Sequence, residues 1–130
     1  MTILVAYVPR PEGQAALDKG IELARRNEER VVVVNVNASA KEDDATMATA
    51  QDEERIERLL QGAGVDAQFK KFVRGNSALA EIEALVDELQ ASVLVIGIRR
   101  RSPVGKLILG SVARDILLSV SCPVLAVKAH

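Results

Sequence analysis

The sequence predicts an α/β fold in which a parallel sheet is covered by helices on both faces, and three observations carry that prediction. Four short apolar runs, Ile3 to Val8, Val31 to Val36, Val93 to Ile96 and Val124 to Val127, are rich in Val and Ile and nearly continuous. Strands buried on both sides read this way, because neither face of the sheet meets water. Between the runs, apolar residues recur with helical spacing. Gly and Pro clusters punctuate the changes from one kind of segment to the other. Such alternation implies right-handed crossovers and a doubly wound sheet.

The elements follow in chain order. After the first strand, Pro9, Pro11 and Gly13 break the chain. Leu17, Ile21 and Ala24 then form the stripe of a first helix. The second strand is Val31 to Val36, and Ile56, Leu59, Leu60 and Ala63 mark a second helix closed by Gly62-Ala63-Gly64. Lys41 to Arg58 is rich in charge and reads as a loop plus a solvated helix face. Ala67 to Val73 carries Phe69 and Phe72 among Lys70, Lys71 and Arg74, a mixed polarity that suits an edge strand. Asn76-Ser77 caps a third helix with the stripe Ile82, Leu85, Val86 and Leu89. The strand Val93 to Ile96 leads into a long loop, Gly97 to Ser111. A last helix carries Val112, Ala113, Ile116, Leu117 and Val120, and Val124 to Val127 is the final strand.

Composition excludes several classes of function. The 130 residues fit a single domain, residues 1–130, and 48% hydrophobic with 27% charged residues describes a globular chain. Lys plus Arg (17) balances Asp plus Glu (18), which argues against a nucleic-acid binder. The only aromatics are Tyr7, Phe69 and Phe72, too few for a base-stacking platform. Cys122 stands alone and can form neither an internal disulfide nor a zinc cluster. No apolar run approaches the roughly 20 residues that span a bilayer, and Met1-Thr2-Ile3-Leu4-Val5 lacks the basic start of a signal peptide. The expected location is cytoplasmic, with no membrane partner.

In a doubly wound sheet, ligands bind at the carboxyl ends of the strands, near the switch in strand order. The loop after the fourth strand is the informative one there. Gly97 lets a backbone pass close to a ligand. Gly110-Ser111 opens a helix, where free N–H groups and the positive dipole end favour an anion. Arg99, Arg100 and Arg101 add guanidinium forks that match phosphate oxygens. The segment has neither P-loop nor dinucleotide-fold spacing. Turn glycines, a capping serine and surface arginines account for it equally well.

From Ile3-Leu4-Val5-Ala6 to Pro123-Val124-Leu125-Ala126-Val127-Lys128 the chain resembles the universal stress protein family. The strongest matches are Val95-Ile96-Gly97, the run Gly105 to Val112, and Cys122-Pro123-Val124. The resemblance implies an open five-stranded sheet of strand order 3-2-1-4-5. It also implies a homodimer through the last strand, Val124 to Val127, and an adenine nucleotide as ligand, ATP or AMP, with Mg²⁺ as the companion of a triphosphate. In nucleotide-binding members a glycine, two residues, a second glycine and nine residues precede Gly-Ser or Gly-Thr. Gly97 and Gly110-Ser111 match at that spacing, whereas Arg100 stands at the second glycine. Val8 stands where such members carry an aspartate after the first strand. The site implied by the resemblance comprises Ala6, Tyr7 and Val36 around the base, and Gly97, Arg99, Arg100, Gly110, Ser111 and Val112 around the phosphates.

The chain is poorly equipped as a catalyst. His130, the single histidine, is the last residue, so no Ser-His or Cys-His unit can be built around it. Asp43-Asp44 and Glu53-Glu54 read as surface charge, and Cys122 before Pro123 as a structural thiol. Slow ATP hydrolysis, or autophosphorylation on Ser111 or Ser102, is conceivable by family resemblance alone. Two functions fit: a regulatory protein of the stress response that binds an adenine nucleotide, or a nucleotide-free dimeric interaction module whose Arg99–Arg101 loop contacts a protein partner.

Overall fold

A computed structural model describes residues 1–35, 49–71, 77–101, 106–108 and 111–129. The middle strand, β1 (Thr2–Tyr7), is buried at every position, so its apolar run is explained by cover on both faces. It pairs in parallel with β2 (Arg30–Asn35) on one side and with β4 (Ala91–Arg101) on the other. Outward from β2 lies β3 (Ala67–Lys70), and outward from β4 lies β6 (Val124–Lys128), both parallel. The five parallel strands therefore stand in the expected order 3-2-1-4-5, with β6 as the fifth of them. The helices are α1 (Pro11–Asn27), α2 (Ala50–Gln61), α3 (Ala78–Leu89) and α4 (Ser111–Ser119).

Successive side chains of each strand feed opposite faces. Ile3, Val5, Tyr7, Val31, Val33 and Val95 meet Leu17, Ile21 and Ala24 of α1 and Ile56 and Leu60 of α2. Leu4, Ala6, Val32, Val34, Leu94 and Ile96 meet Ile82, Leu85 and Val86 of α3 and Ile116 of α4. Most of the helical stripes read from the sequence are thus buried, but Leu59 of α2 and Leu117 of α4, read as part of their stripes, are exposed. The charge-rich segment becomes helical from Ala50, opened by a capping box in which Thr49 Oγ1 accepts from the Asp52 N–H at 3.1 Å. Asp52 in return accepts from the Thr49 N–H at 2.9 Å.

Apart from one-residue shifts such as that of β1, which ends at Tyr7 rather than Val8, two boundaries differ from the sequence reading. β3 ends at Lys70 rather than at Val73; Phe72 and Val73 lie outside the described residues. β4 does not stop at Ile96 but runs on to Arg101, through the first third of the segment expected as loop. Its outer residues pair antiparallel with a short strand, β5 (Lys106–Ile108), matching Arg99 with Ile108, Arg100 with Leu107 and Arg101 with Lys106. The β4 part of this ribbon, Arg99-Arg100-Arg101, has no apolar pattern by which a strand could be read from the sequence.

Candidate functional site

All five parallel strands end on one edge, and β1 is where the chain's path across the sheet reverses. At that edge Tyr7 closes β1 and pairs with Asn35, the last residue of β2. The buried Asn35 Nδ2 donates to the Tyr7 carbonyl at 3.2 Å and ties the two strand ends together. The chain then turns sharply: the Arg10 N–H donates to the Val8 carbonyl at 2.8 Å, and Pro11 starts α1. Proline is well placed there, since its ring presets the helical φ and its missing N–H would have had no intrahelical acceptor.

The strand pleat separates the two β1 residues expected near a base. Ala6 faces α3 and α4, beside Val34 and Ile96, and Val8 packs against the same cluster. Tyr7 faces α1 and α2 and is only 1% exposed. Its hydroxyl oxygen accepts from Arg55 Nη2 at 2.9 Å, and burial pushes its ionisation above the usual phenol range while Arg55 opposes that shift. The Tyr7 ring therefore has no open face for stacking. Only its main chain reaches the strand edge.

Gly97 lies two residues past the Val5–Val95 pair, level with the end of β1. A Cβ there would stand 2.1 Å from the main-chain oxygen of Glu12, so the first turn of α1 sits directly on this glycine. Gly13 is needed in the same way, as a Cβ on it would stand 1.8 Å from the Val8 oxygen. Two residues further along β4, Arg99 Nε lies 3.5 Å from Glu12 Oε1. The Glu12 side chain is 10% exposed and that of Arg99 54%, so a buried carboxylate anchors a half-exposed guanidinium. Arg100 stands in the β4–β5 ribbon opposite Leu107. Ser111 is the first residue of α4 and Val112 the second, so the helix starts where the sequence placed an anion-binding N-terminus. Val36 and Gly110 lie outside the described residues.

The structure thus brings Ala6, Gly97 and Arg99 to the strand edge and sets α4 to begin at Ser111. It turns the Tyr7 ring away. The strand edge thus combines small residues, Ala6 and Gly97, with the start of a helix, whose free N–H groups and positive dipole end attract anions. No cluster of three or more metal-ligating side chains occurs among the described residues.

Three contributors escaped the sequence reading. Glu12 had a readable signal, since Pro11-Glu12-Gly13 places an acid in the first turn of a helix, beside its positive dipole end. Asn35 had a weaker one, a polar residue inside an apolar run. Arg55 had none: it is one of several charges on α2, and its partner Tyr7 is 48 residues away.

The universal stress protein family model matches residues 1–128. A universal stress protein of Mycolicibacterium smegmatis is 43% identical over 128 residues, 98% of each chain. A universal stress protein structure from Archaeoglobus fulgidus superposes with a TM-score of 0.76 at 29% identity, over 98% of this chain and 97% of that one. A second Archaeoglobus fulgidus structure, of a universal stress protein in complex with dAMP, superposes with a TM-score of 0.71 at 22% identity, over 98% and 96%.

Proposed function

Because this chain belongs to the universal stress protein family, we propose that it is a regulatory protein of the stress response that binds an adenine nucleotide, ATP or AMP, at the carboxyl edge of its sheet. The observation that carries the reading is the start of α4 at Ser111, the Ser of the Gly-Ser pair spaced from Gly97 as in nucleotide-binding members. A similarly folded universal stress protein that was solved with dAMP supports the choice of ligand.

In this reading the adenine lies against Ala6, the main chain of Tyr7, and Val36. The phosphates meet the main chain of Gly97, Gly110 and Val112 and the Ser111 hydroxyl, with Arg100 and Arg99 supplying positive charge. Mg²⁺ would accompany a triphosphate only, held by its oxygens. The protein performs no chemistry on the nucleotide. Binding at Gly97 and the start of α4 shifts the β4–β5 ribbon and so changes the surface offered to a partner. The working unit is a cytoplasmic homodimer joined along β6, where Leu125 is exposed on the edge strand and Leu117 and Leu118 are exposed on α4.

Gly110→Val tests the placement. It should abolish AMP binding while circular dichroism and the dimer stay unchanged; undiminished binding would show that the phosphates sit elsewhere. For the dimer, Ala126→Pro removes an outward-facing N–H from β6, since the alternate residues 123, 125, 127 and 129 bond β4, and should give a monomer by light scattering. A folded variant that remains dimeric would exclude β6 as the interface.

The second reading, a nucleotide-free interaction module, is favoured by one observation. Arg99 is already engaged by Glu12 on a ribbon that also carries Arg100 and Arg101. In that case the ribbon itself is the contact surface, and the matching partner is acidic.

A further inference from the structure

On the α1/α2 face, at the opposite side of β1 from Ala6, a pocket of about 280 Å³ opens between the start of α1 and the first turns of α2. Its walls include Tyr7, Arg10, Pro11, Gln14, Asp52 and Arg55. The Arg55 side chain crosses from α2 to bridge two neutral acceptors: Nη1 donates to Gln14 Oε1 at 2.8 Å and Nη2 to the Tyr7 hydroxyl at 2.9 Å. Those bonds fix the guanidinium without neutralising it. Among the described residues, neither Arg55 nor Arg10 has a carboxylate within ion-pair distance. Asp52, the one acid in the wall, is turned to its capping duty, its Oδ2 accepting from the Thr49 N–H at 2.9 Å and hydroxyl at 3.0 Å. The pocket therefore carries a net positive charge, with one guanidinium already oriented.

We propose that this pocket is a second binding site, for the phosphate group of a small phosphorylated metabolite. A prepositioned guanidinium beside a second arginine recognises a tetrahedral dianion better than a flat, singly charged carboxylate. The adjoining start of α1, where Arg10 gives no side-chain cap, adds to the attraction without being its basis. The volume holds a phosphate with a few carbons, and a nucleotide base would find the Tyr7 ring enclosed. The site shares no side chain with the nucleotide reading, and Arg10, Gln14 and Arg55 can be changed without touching Gly97, Arg99 or α4.

The test is a titration of ¹⁵N-labelled protein with inorganic phosphate, then glycerol 3-phosphate, then acetate, followed by amide and Arg Nε–H resonances. Saturable shifts at Glu12, Gly13, Gln14 and Arg55 Nε–H are expected with both phosphates, stronger with the ester, and at least about tenfold weaker with acetate. Arg55→Gln should weaken phosphate at least about tenfold while resonances of β4, β6 and α4 stay in place. Arg10→Gln gives the same reading should the first variant fold poorly. Shifts confined to Ser111 and Val112, no saturable shift, equal response to acetate, or undiminished binding in a folded variant would each overturn the proposal. An AMP titration of the same sample reads the α4 amides separately, so failure of one site is distinguishable from failure of the other.

Discussion

On one face of the sheet α1 runs for 17 residues across β1 and β4, buries Ala16, Leu17, Gly20, Ile21 and Ala24, and meets the strands through Gly13 and Gly20. On the other face α4 runs for only 9 residues, buries Ile116, and leaves Leu117 46% and Leu118 78% exposed. Both helices are amphipathic and both follow a strand, so the difference is not one of helix quality. It is one of completion. Over β1 and β4 the body of α1 seals its face of the sheet, down to glycines that leave no room for a Cβ, and the pocket on that side opens only at the helix start. The α4 side leaves Leu117 and Leu118 exposed near the edge strand β6, and it is there that the proposed ligand and second subunit would be received.

The largest effect that separates the two faces concerns Gly97. If that glycine serves packing, Gly97→Val should cost about 3 kcal/mol or more in urea denaturation, because the new side chain collides with the Glu12 main chain. A variant of normal stability that merely lost nucleotide would assign the glycine to ligand approach instead. Next come two leucines. Leu17→Ala should cost about 2–5 kcal/mol, whereas Leu118→Ala should change monomer stability by no more than about 0.5 kcal/mol and act on self-association instead. Equal losses in both would remove the distinction between a closed face and an open one.

A smaller effect lies at the Tyr7–Arg55 contact. Tyr7→Phe should cost about 1 kcal/mol at neutral pH through the lost hydrogen bond. Burial raises the folded-state pKa of Tyr7, so the proton is held more tightly in the folded chain than in the unfolded one. Its contribution is full below about pH 10 and is lost as pH rises beyond that, through the folded pKa. Chemical denaturation from pH 8 to 11 should show a fall in the parent chain that is smaller in Tyr7→Phe. Parallel curves would mean that Tyr7 is not held as tightly as its burial indicates. An effect of about 1 kcal/mol is likewise expected for Thr49→Ala, which removes the α2 cap.

The parts of the fold that the sequence made legible are those where one physical force decides. Apolar runs without alternation located β1, β2 and β6, and stripes such as Ile82, Leu85 and Val86 located the buried side of each helix. The β4–β5 ribbon was not legible, because Arg99-Arg100-Arg101 carries no apolar pattern to mark it as a strand. In the site, the start of α4 at Ser111 was readable from local helix chemistry. The orientation of Tyr7 was not settled by its place at a strand end. It follows from the pleat, which sends Ala6 and Tyr7 to opposite faces, and from Arg55, whose approach depends on tertiary packing.

The most direct measurement is calorimetric titration of purified, nucleotide-stripped protein with AMP and then with ATP, with and without Mg²⁺. The account predicts saturable heat with micromolar affinity, about -8 kcal/mol, accompanied by a rise in melting temperature. Neither heat nor a thermal shift with either nucleotide would contradict it, and the arginine ribbon and its partner would take the place of the nucleotide.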